Sequence, residues 1–133
     1  MIGIDTNVLV RLLVRDHAAQ LRAAEKFVST HCTTANPGFV SRVVVAELAW
    51  VLGDVYGYER HEIAAALRAL RNVTQLKLDA AEAVESALED FAASSTGFAD
   101  CLIARLNRSA GCEYTVTFDR KASKVAGFRP LAT

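Results

Sequence analysis

The feature that most constrains this chain is a repeated alternation of short apolar or β-branched runs with longer segments of helical periodicity. Residues 2–4 form a short apolar run, and Asp5-Thr6-Asn7 follows at once with side chains that favour a helix N-cap before Val8-Leu9-Val10. Leu21, Ala24, Phe27 and Val28 then recur at helical spacing. Beyond a loop containing Pro37, Phe39-Val40 reads as a strand. Ser41 can cap an almost wholly apolar helix over 42–56, which is expected to be buried on most sides. Ile63, Leu67 and Leu70 mark a helix over 59–71, and 75–78 reads as a strand. Asp79 is placed to cap an acidic-faced helix reaching about residue 93. A break at Ser94-Ser95-Thr96-Gly97 precedes a helix over 98–110 stopped by Gly111, then a strand over 114–118 ending at Asp119. A last short helix over 120–126 and an edge strand over 128–131 complete the order. Strands alternating with helices imply an α/β fold with a parallel sheet covered on both faces.

Residues 1–133 fall within the usual size of one domain with one core. Hydrophobic residues make up 52% of the chain, rich enough that part of the apolar surface is expected to serve a partner. The opening residues lack the basic stretch of a secretory signal, and the most apolar stretch, 43–52, carries Glu47 at its centre. No membrane association is expected, and the location is read as cytoplasmic. Cys32, Cys101 and Cys112 are an odd number in no CxxC arrangement, which argues against disulfides and thiolate metal sites. His17, His31 and His61 share no ligand spacing and read as surface residues. Fifteen basic and fifteen acidic residues balance, so total charge says nothing of a nucleic-acid partner.

Four carboxylates stand apart from that mixed surface. Asp5 and Asp119 each end a strand, on the side where open α/β sheets place ligands, although each could equally be a helix cap. Asp100 sits in the first turn of its helix, where a carboxylate also suits the helix dipole. Glu47 is flanked on its own helix face by Val43, Val44, Trp50 and Val51. A carboxylate on such a surface is costly to bury unless an arginine such as Arg42, a metal or a proton compensates it. If the four converge at one rim, cations must lie between them. Hard oxygen donors without neighbouring His or Cys select Mg²⁺ or Mn²⁺. Such ions support hydrolysis of a phosphodiester.

The chain resembles the PIN-domain family, in particular the VapC-type toxins of bacterial toxin–antitoxin pairs. The resemblance is carried by Ile2-Gly3-Ile4-Asp5-Thr6-Asn7-Val8-Leu9-Val10-Arg11, by Val43-Val44-Val45-Ala46-Glu47-Leu48-Ala49-Trp50-Val51-Leu52, by Gly97-Phe98-Ala99-Asp100-Cys101-Leu102-Ile103-Ala104, and by Thr115-Val116-Thr117-Phe118-Asp119-Arg120. It implies a three-layer α/β/α sandwich with a central, mostly parallel sheet of four to five short strands. It also implies Mg²⁺- or Mn²⁺-dependent endoribonuclease activity that inhibits translation. Asp5, Glu47, Asp100 and Asp119 look like the family's acids. Thr6, Asn7 and Thr117 are similar to the polar residues that hold water or steady the carboxylates. The partners implied are RNA, an antitoxin that wraps helices into a groove and reaches the acids with an arginine, and a second copy of the chain. Larger assemblies on operator DNA, through the antitoxin, are also implied.

On this reading Asp5, Asp100 and Asp119 hold the metal, Glu47 is a ligand or base, and Arg11 and Arg120 bind flanking phosphates. Two rivals stand beside it. A metal-dependent phosphatase with a strand-end aspartate nucleophile would want a second Asp two residues on, where Asn7 stands. A non-catalytic acid cluster could grip a partner's arginine without turnover.

Overall fold

The computed structural model describes residues 1–133. These form two compact units, Met1–Asp79 and Ala80–Thr133. The first unit runs β1 (Ile2–Gly3), α1 (Thr6–Val14), α2 (Ala18–His31), β2 (Gly38–Val40), α3 (Arg42–Trp50), a π-helical turn (Val51–Val55), α4 (Arg60–Arg71) and β3 (Leu76–Leu78). The second runs α5 (Ala81–Ala92), α6 (Phe98–Ser109), β4 (Thr115–Thr117), a 3₁₀ turn (Ala122–Lys124) and β5 (Phe128–Pro130). The alternation read from the sequence holds. All five strands are short and every pairing is parallel, in a three-stranded sheet ordered β1-β2-β3 and a two-stranded sheet β4-β5. No helix is long and apolar enough to cross a membrane. All three cysteines are free, Cys32 and Cys101 buried and Cys112 exposed.

In the first unit β2 is the middle strand, with Gly38 in register with Ile2 on one side and Leu76 on the other. Parallel neighbours need a crossover, so α1 and α2 connect β1 to β2, and α3 and α4 connect β2 to β3. Leu9, Val40, Val45, Leu48, Leu52 and Leu67 are fully buried and form the centre of this unit's core. Ser41 caps α3 as expected, its Oγ accepting from Val44 N at 3.3 Å. Glu59 and Glu62 close a reciprocal capping box at the start of α4.

Three expectations change. The apolar helix over 42–56 is not buried on most sides, because only the Val45, Leu48, Ala49 and Leu52 face packs inward. Val43, Trp50 and Val55 are 71%, 59% and 60% exposed. Apolar composition all round a helix therefore did not mean burial all round. Asp79 does not cap α5; its carboxylate receives the Arg42 guanidinium through two bonds, 2.7 Å from Nε and 3.1 Å from Nη2. That bidentate pairing removes Asp79 from the helix end, and Ala80, at φ 54°, occupies the cap position. The last helix over 120–126 shrinks to the single 3₁₀ turn, because Asp119 folds back on the next backbone amides and Gly127, at φ +96°, turns the chain into β5.

In the second unit α5 and α6 pack through Ala83, Val84, Ala87, Leu88 and Phe91 against Phe98, Cys101 and Leu102. Phe91 and Phe98 meet edge to face with centroids 6.0 Å apart. Arg105 bridges the pair with two bonds to Asp90, at 2.7 and 2.9 Å. Hydrogen bonding to Asp90 holds the Arg105 guanidinium above its ordinary pKa.

Gly38 shows how tightly the middle strand is enclosed. A Cβ there would lie 2.9 Å from Leu76 Cδ2, 3.0 Å from Ile4 Cγ1 and 3.2 Å from Cys32 Sγ. Gly38→Ala is expected to destabilise the protein by about 1–3 kcal/mol through overpacking. Urea unfolding should show a lower midpoint at unchanged slope, whereas an unchanged midpoint would mean that the three side chains yield without cost.

Candidate active site

Asp5 stands just beyond β1 as the N-cap of α1, with Oδ1 accepting from Thr6 N at 2.8 Å. Its other oxygen has no protein donor. Glu47 projects from the middle of α3, and both carboxylates line a cleft of about 230 Å³ with Thr6, Asn7, Val10, Arg11, Val51, Val55 and Tyr56. Asp5, Thr6, Asn7, Arg11 and Glu47, all singled out in the sequence, meet in this one cleft. The argument made for Glu47 needs correction, because Glu47 is exposed. Desolvation does not force a partner on it, and Arg42, the arginine considered for it, is engaged by Asp79. Glu47 forms no hydrogen bond or ion pair.

The far wall of the cleft comes from the π-helical turn. There Tyr56 N donates to Val51 O at 3.2 Å, an i→i−5 bond that widens the helix and brings Val51, Val55 and Tyr56 into one lining. Arg11 reaches across it, with Nη1 2.7 Å from Asp16 Oδ1 and Nη2 3.0 Å from the Tyr56 hydroxyl. Arg11 is therefore a fixed cation at the margin of the cleft rather than a partner of either acid. Tyr56 was missed in the sequence, where only its place nine residues after Glu47, beyond Gly53, could have drawn notice.

The donor set fits a hard divalent cation. Its oxygen donors are two carboxylates, an amide and the hydroxyls of Thr6 and Tyr56, the latter engaged by Arg11; there is no thiol or imidazole, and neither carboxylate forms an ion pair. Thr6 adds a second observation: its Oγ1 is buried and has no hydrogen-bond partner. Buried hydroxyls normally find a partner, so one orphaned at the wall of an acidic cleft is suited to a water or ligand there.

The second unit holds the other two acids. Asp100 lies half-buried in the first turn of α6, and its Oδ2 accepts from the hydroxyl of Thr96 at 3.2 Å. Thr96 is 2% exposed, and this residue too was missed. The signal was a hydroxyl four residues before the acid, inside a segment read only as a break. Asp119 follows β4, with Oδ1 accepting from Lys121 N at 2.8 Å and Ala122 N at 3.1 Å. Thr117 steadies it through the backbone, its Oγ1 accepting from Asp119 N at 3.0 Å. Arg120 is exposed and forms no ion pair. Each of these acids also keeps one oxygen without a protein donor.

The histidines lie where surface residues were expected. His17 caps α2 through Nδ1, His31 stacks on Phe27 at 4.8 Å, and His61 is 3.4 Å from Glu59. Glu59, His61 and Glu62 present ligand atoms within 4.8 Å of one another, but all three are exposed and the two glutamates are the capping box of α4.

A family model described as PIN domain matches residues 2–128, a span that includes both units and all four acids. No curated protein matches the sequence.

The Thr96–Asp100 bond ties a buried hydroxyl to a half-buried side chain, a setting in which a hydrogen bond contributes about 1–2 kcal/mol. Thr96→Val, which keeps the shape and removes the donor, should lower stability by about 1–2 kcal/mol. A double-mutant cycle with Asp100→Asn, read by urea unfolding, should give a coupling of roughly 1 kcal/mol, and additive effects would show that the bond does not hold the carboxylate.

Proposed function

The chain belongs to the PIN-domain family, and from that premise we propose that it is a Mg²⁺- or Mn²⁺-dependent endoribonuclease and the toxin of a type II toxin–antitoxin pair. Its catalytic acids, on this proposal, are Asp5, Glu47, Asp100 and Asp119. Members of the family are typically metal-dependent nucleases, so phosphodiester hydrolysis is the activity to expect at family level. The observation that carries the proposal to these residues is that Asp5 and Glu47 line one cleft with no protein cation on either carboxylate.

A divalent ion, when bound, lowers the pKa of a water and offsets charge on the scissile phosphate. Asp5, Asp100 and Asp119 are the residues that would hold it, each offering an oxygen not used by a protein donor. Glu47, exposed and unpaired, can serve as a further ligand or accept the proton of an attacking water. The Thr6 hydroxyl and the Asn7 amide can orient that water from the wall of the cleft. Arg11, held by Asp16 and Tyr56, is pre-set to contact a non-bridging phosphate oxygen beside the reaction, and Arg120 can take a flanking phosphate.

The toxin reading has further support in the first unit. A largely apolar groove of about 660 Å³, lined by Ile4, Val8, Ala23, Ala24 and Phe27, borders Asp5, Asn7 and Arg11. An amphipathic antitoxin helix laid there could bring an arginine to the uncompensated acids. Val43, Trp50 and Val55 offer an apolar face for a second copy of the chain, in keeping with a homodimer.

With Mg²⁺ or Mn²⁺, the protein should cut a labelled single-stranded RNA internally, and chelation should stop it. Loss of an outer hydrogen bond to a metal ligand costs 10–100-fold, so Asp5→Asn, Glu47→Gln, Asp100→Asn and Asp119→Asn should each lower cleavage by about 100-fold or more. Metal-free melting of Asp5→Asn should stay close to that of the parent, since Asn also caps a helix, whereas Asp100→Asn should melt lower because it weakens the bond from Thr96. Undiminished cleavage by Asp5→Asn would overturn the assignment. Hydrolysis of a generic phosphomonoester in place of RNA would favour the phosphatase. Calorimetric Mn²⁺ binding without turnover of either would favour the binding module.

A further inference from the structure

Exposure alternates along β4 and its flanks. Tyr114, Val116 and Phe118 are 42%, 52% and 69% exposed, while Thr115 and Thr117 between them are half-buried. In the parallel register Val116 pairs with Arg129, so Arg129 rises on the same face. Its guanidinium carbon lies 4.0 Å from the centroid of the Tyr114 ring. Leu131, two residues further on, is also exposed. The segment that the sequence reads as a short helix over 120–126 is here a single 3₁₀ turn.

Charge distinguishes this face from an ordinary apolar patch. Residues 114–133 carry Arg120, Lys121, Lys124 and Arg129 against the single acid Asp119, in a chain whose net charge is zero. None of the four cations enters an ion pair. At the N-terminal end of the strand pair, a hollow of about 300 Å³ is lined by Arg108, Tyr114 and Arg129, with one acid, Glu113, among them.

We propose that the exposed face of β4–β5 is a docking track for single-stranded RNA, with Phe118 and Tyr114 stacking bases and Arg129, Arg108 and the Arg120–Lys124 turn taking phosphates. The ring positions are four residues apart, about 13 Å along the strand, so one sheet face can stack two non-adjacent unpaired bases of the same RNA strand. Aromatic stacking tolerates any base, and the guanidinium already seated on Tyr114 adds a cation at the π-face. Phe118 adjoins Asp119, so the track leads directly away from one of the proposed catalytic acids. A protein partner would have to supply several acids to match these cations, whereas RNA brings one negative charge per nucleotide. The ligand class rests on the nuclease reading above, but the track is testable without cleavage.

The test is fluorescence anisotropy of a short, unstructured, dye-labelled RNA against the full chain in EDTA, which suppresses turnover. Phe118→Ala and Tyr114→Ala should each weaken binding about 5- to 100-fold, and Phe118→Tyr should restore it. Arg129→Gln should lower the slope of log affinity against log salt by about 0.7. Phe118 is exposed enough that its replacement should leave the melting curve unchanged. Affinities equal to wild type in both alanine variants, or absence of RNA binding by wild type, would overturn the track. A dimer-to-monomer shift in sedimentation with RNA affinity intact would also overturn it, assigning the face to a second copy. Cleavage of the same RNA with Mn²⁺ separates the two readings. Binding through these residues without cutting keeps the track and removes the nuclease, whereas normal cutting by both alanine variants with unaltered affinity does the reverse.

Discussion

Parallel pairing of very short strands governs this structure. Strands of two or three residues make too few ladder bonds to stand alone, so each is held by the helices that its crossover requires. Fully buried Leu9, Val45, Leu48, Leu52 and Leu67 are all helical or π-helical, and β2 adds Val40 to them. The same constraint puts a helix start directly after a strand end. Asp5 after β1 and Ser41 after β2 are both caps, and Asp119 after β4 bonds the amides that follow it. In the first unit the candidate site is thus an extension of helix capping. Asp5 uses one oxygen to start α1 and leaves the other without a protein donor, so capping the helix does not exclude the catalytic role proposed for it.

The helix α3 works through its two faces. One face, through Val45, Leu48 and Leu52, has the periodicity of a core helix and anchors the element. The other carries Val43, Glu47 and Trp50 outward, apolar residues around a carboxylate that remains in contact with water. Contact with water leaves both oxygens of this carboxylate accessible from solution. The π-helical turn then completes the site: a single extra residue per turn brings Tyr56 alongside Arg11 across the same cleft.

Much of this was legible in the sequence, for identifiable reasons. Ile63, Leu67 and Leu70, or Ala83, Ala87 and Phe91, repeat at a period that only a helix satisfies, and the caps at Asp5 and Ser41 act locally. Asp5, Thr6, Asn7 and Arg11 share one lining because β1 runs straight into α1, whereas Glu47 joins them from α3, after β2. What failed depended on distant partners. Nothing near Asp79 announces that Arg42, 37 residues earlier, will take both of its oxygens. Nothing in the composition of α3 tells which valines face solvent. Thr96 and Tyr56 were hidden because their importance lies in one hydrogen bond each, to Asp100 and Arg11, and a hydroxyl in a break or beyond a glycine carries no periodic signal.

Net charge conceals the division on which function would depend. Arg42, Arg105 and Arg11 each spend their charge on an aspartate, at 2.7 Å in every case, and thereby fix the geometry of β3 with α3, α5 with α6, and the margin of the cleft. Asp5, Glu47, Asp100 and Asp119 have no cation, and Arg120, Lys121, Lys124 and Arg129 have no anion. Asp5, Asp100 and Asp119 serve the fold through hydrogen bonds, but no ion pair uses their charge. Uncompensated acids suit cations, and an uncompensated basic strand face suits a polyanion. A metal-dependent nuclease meets both demands with one substrate, since RNA supplies the phosphates and a divalent ion offsets the acids. Neither demand could be read from a total of zero.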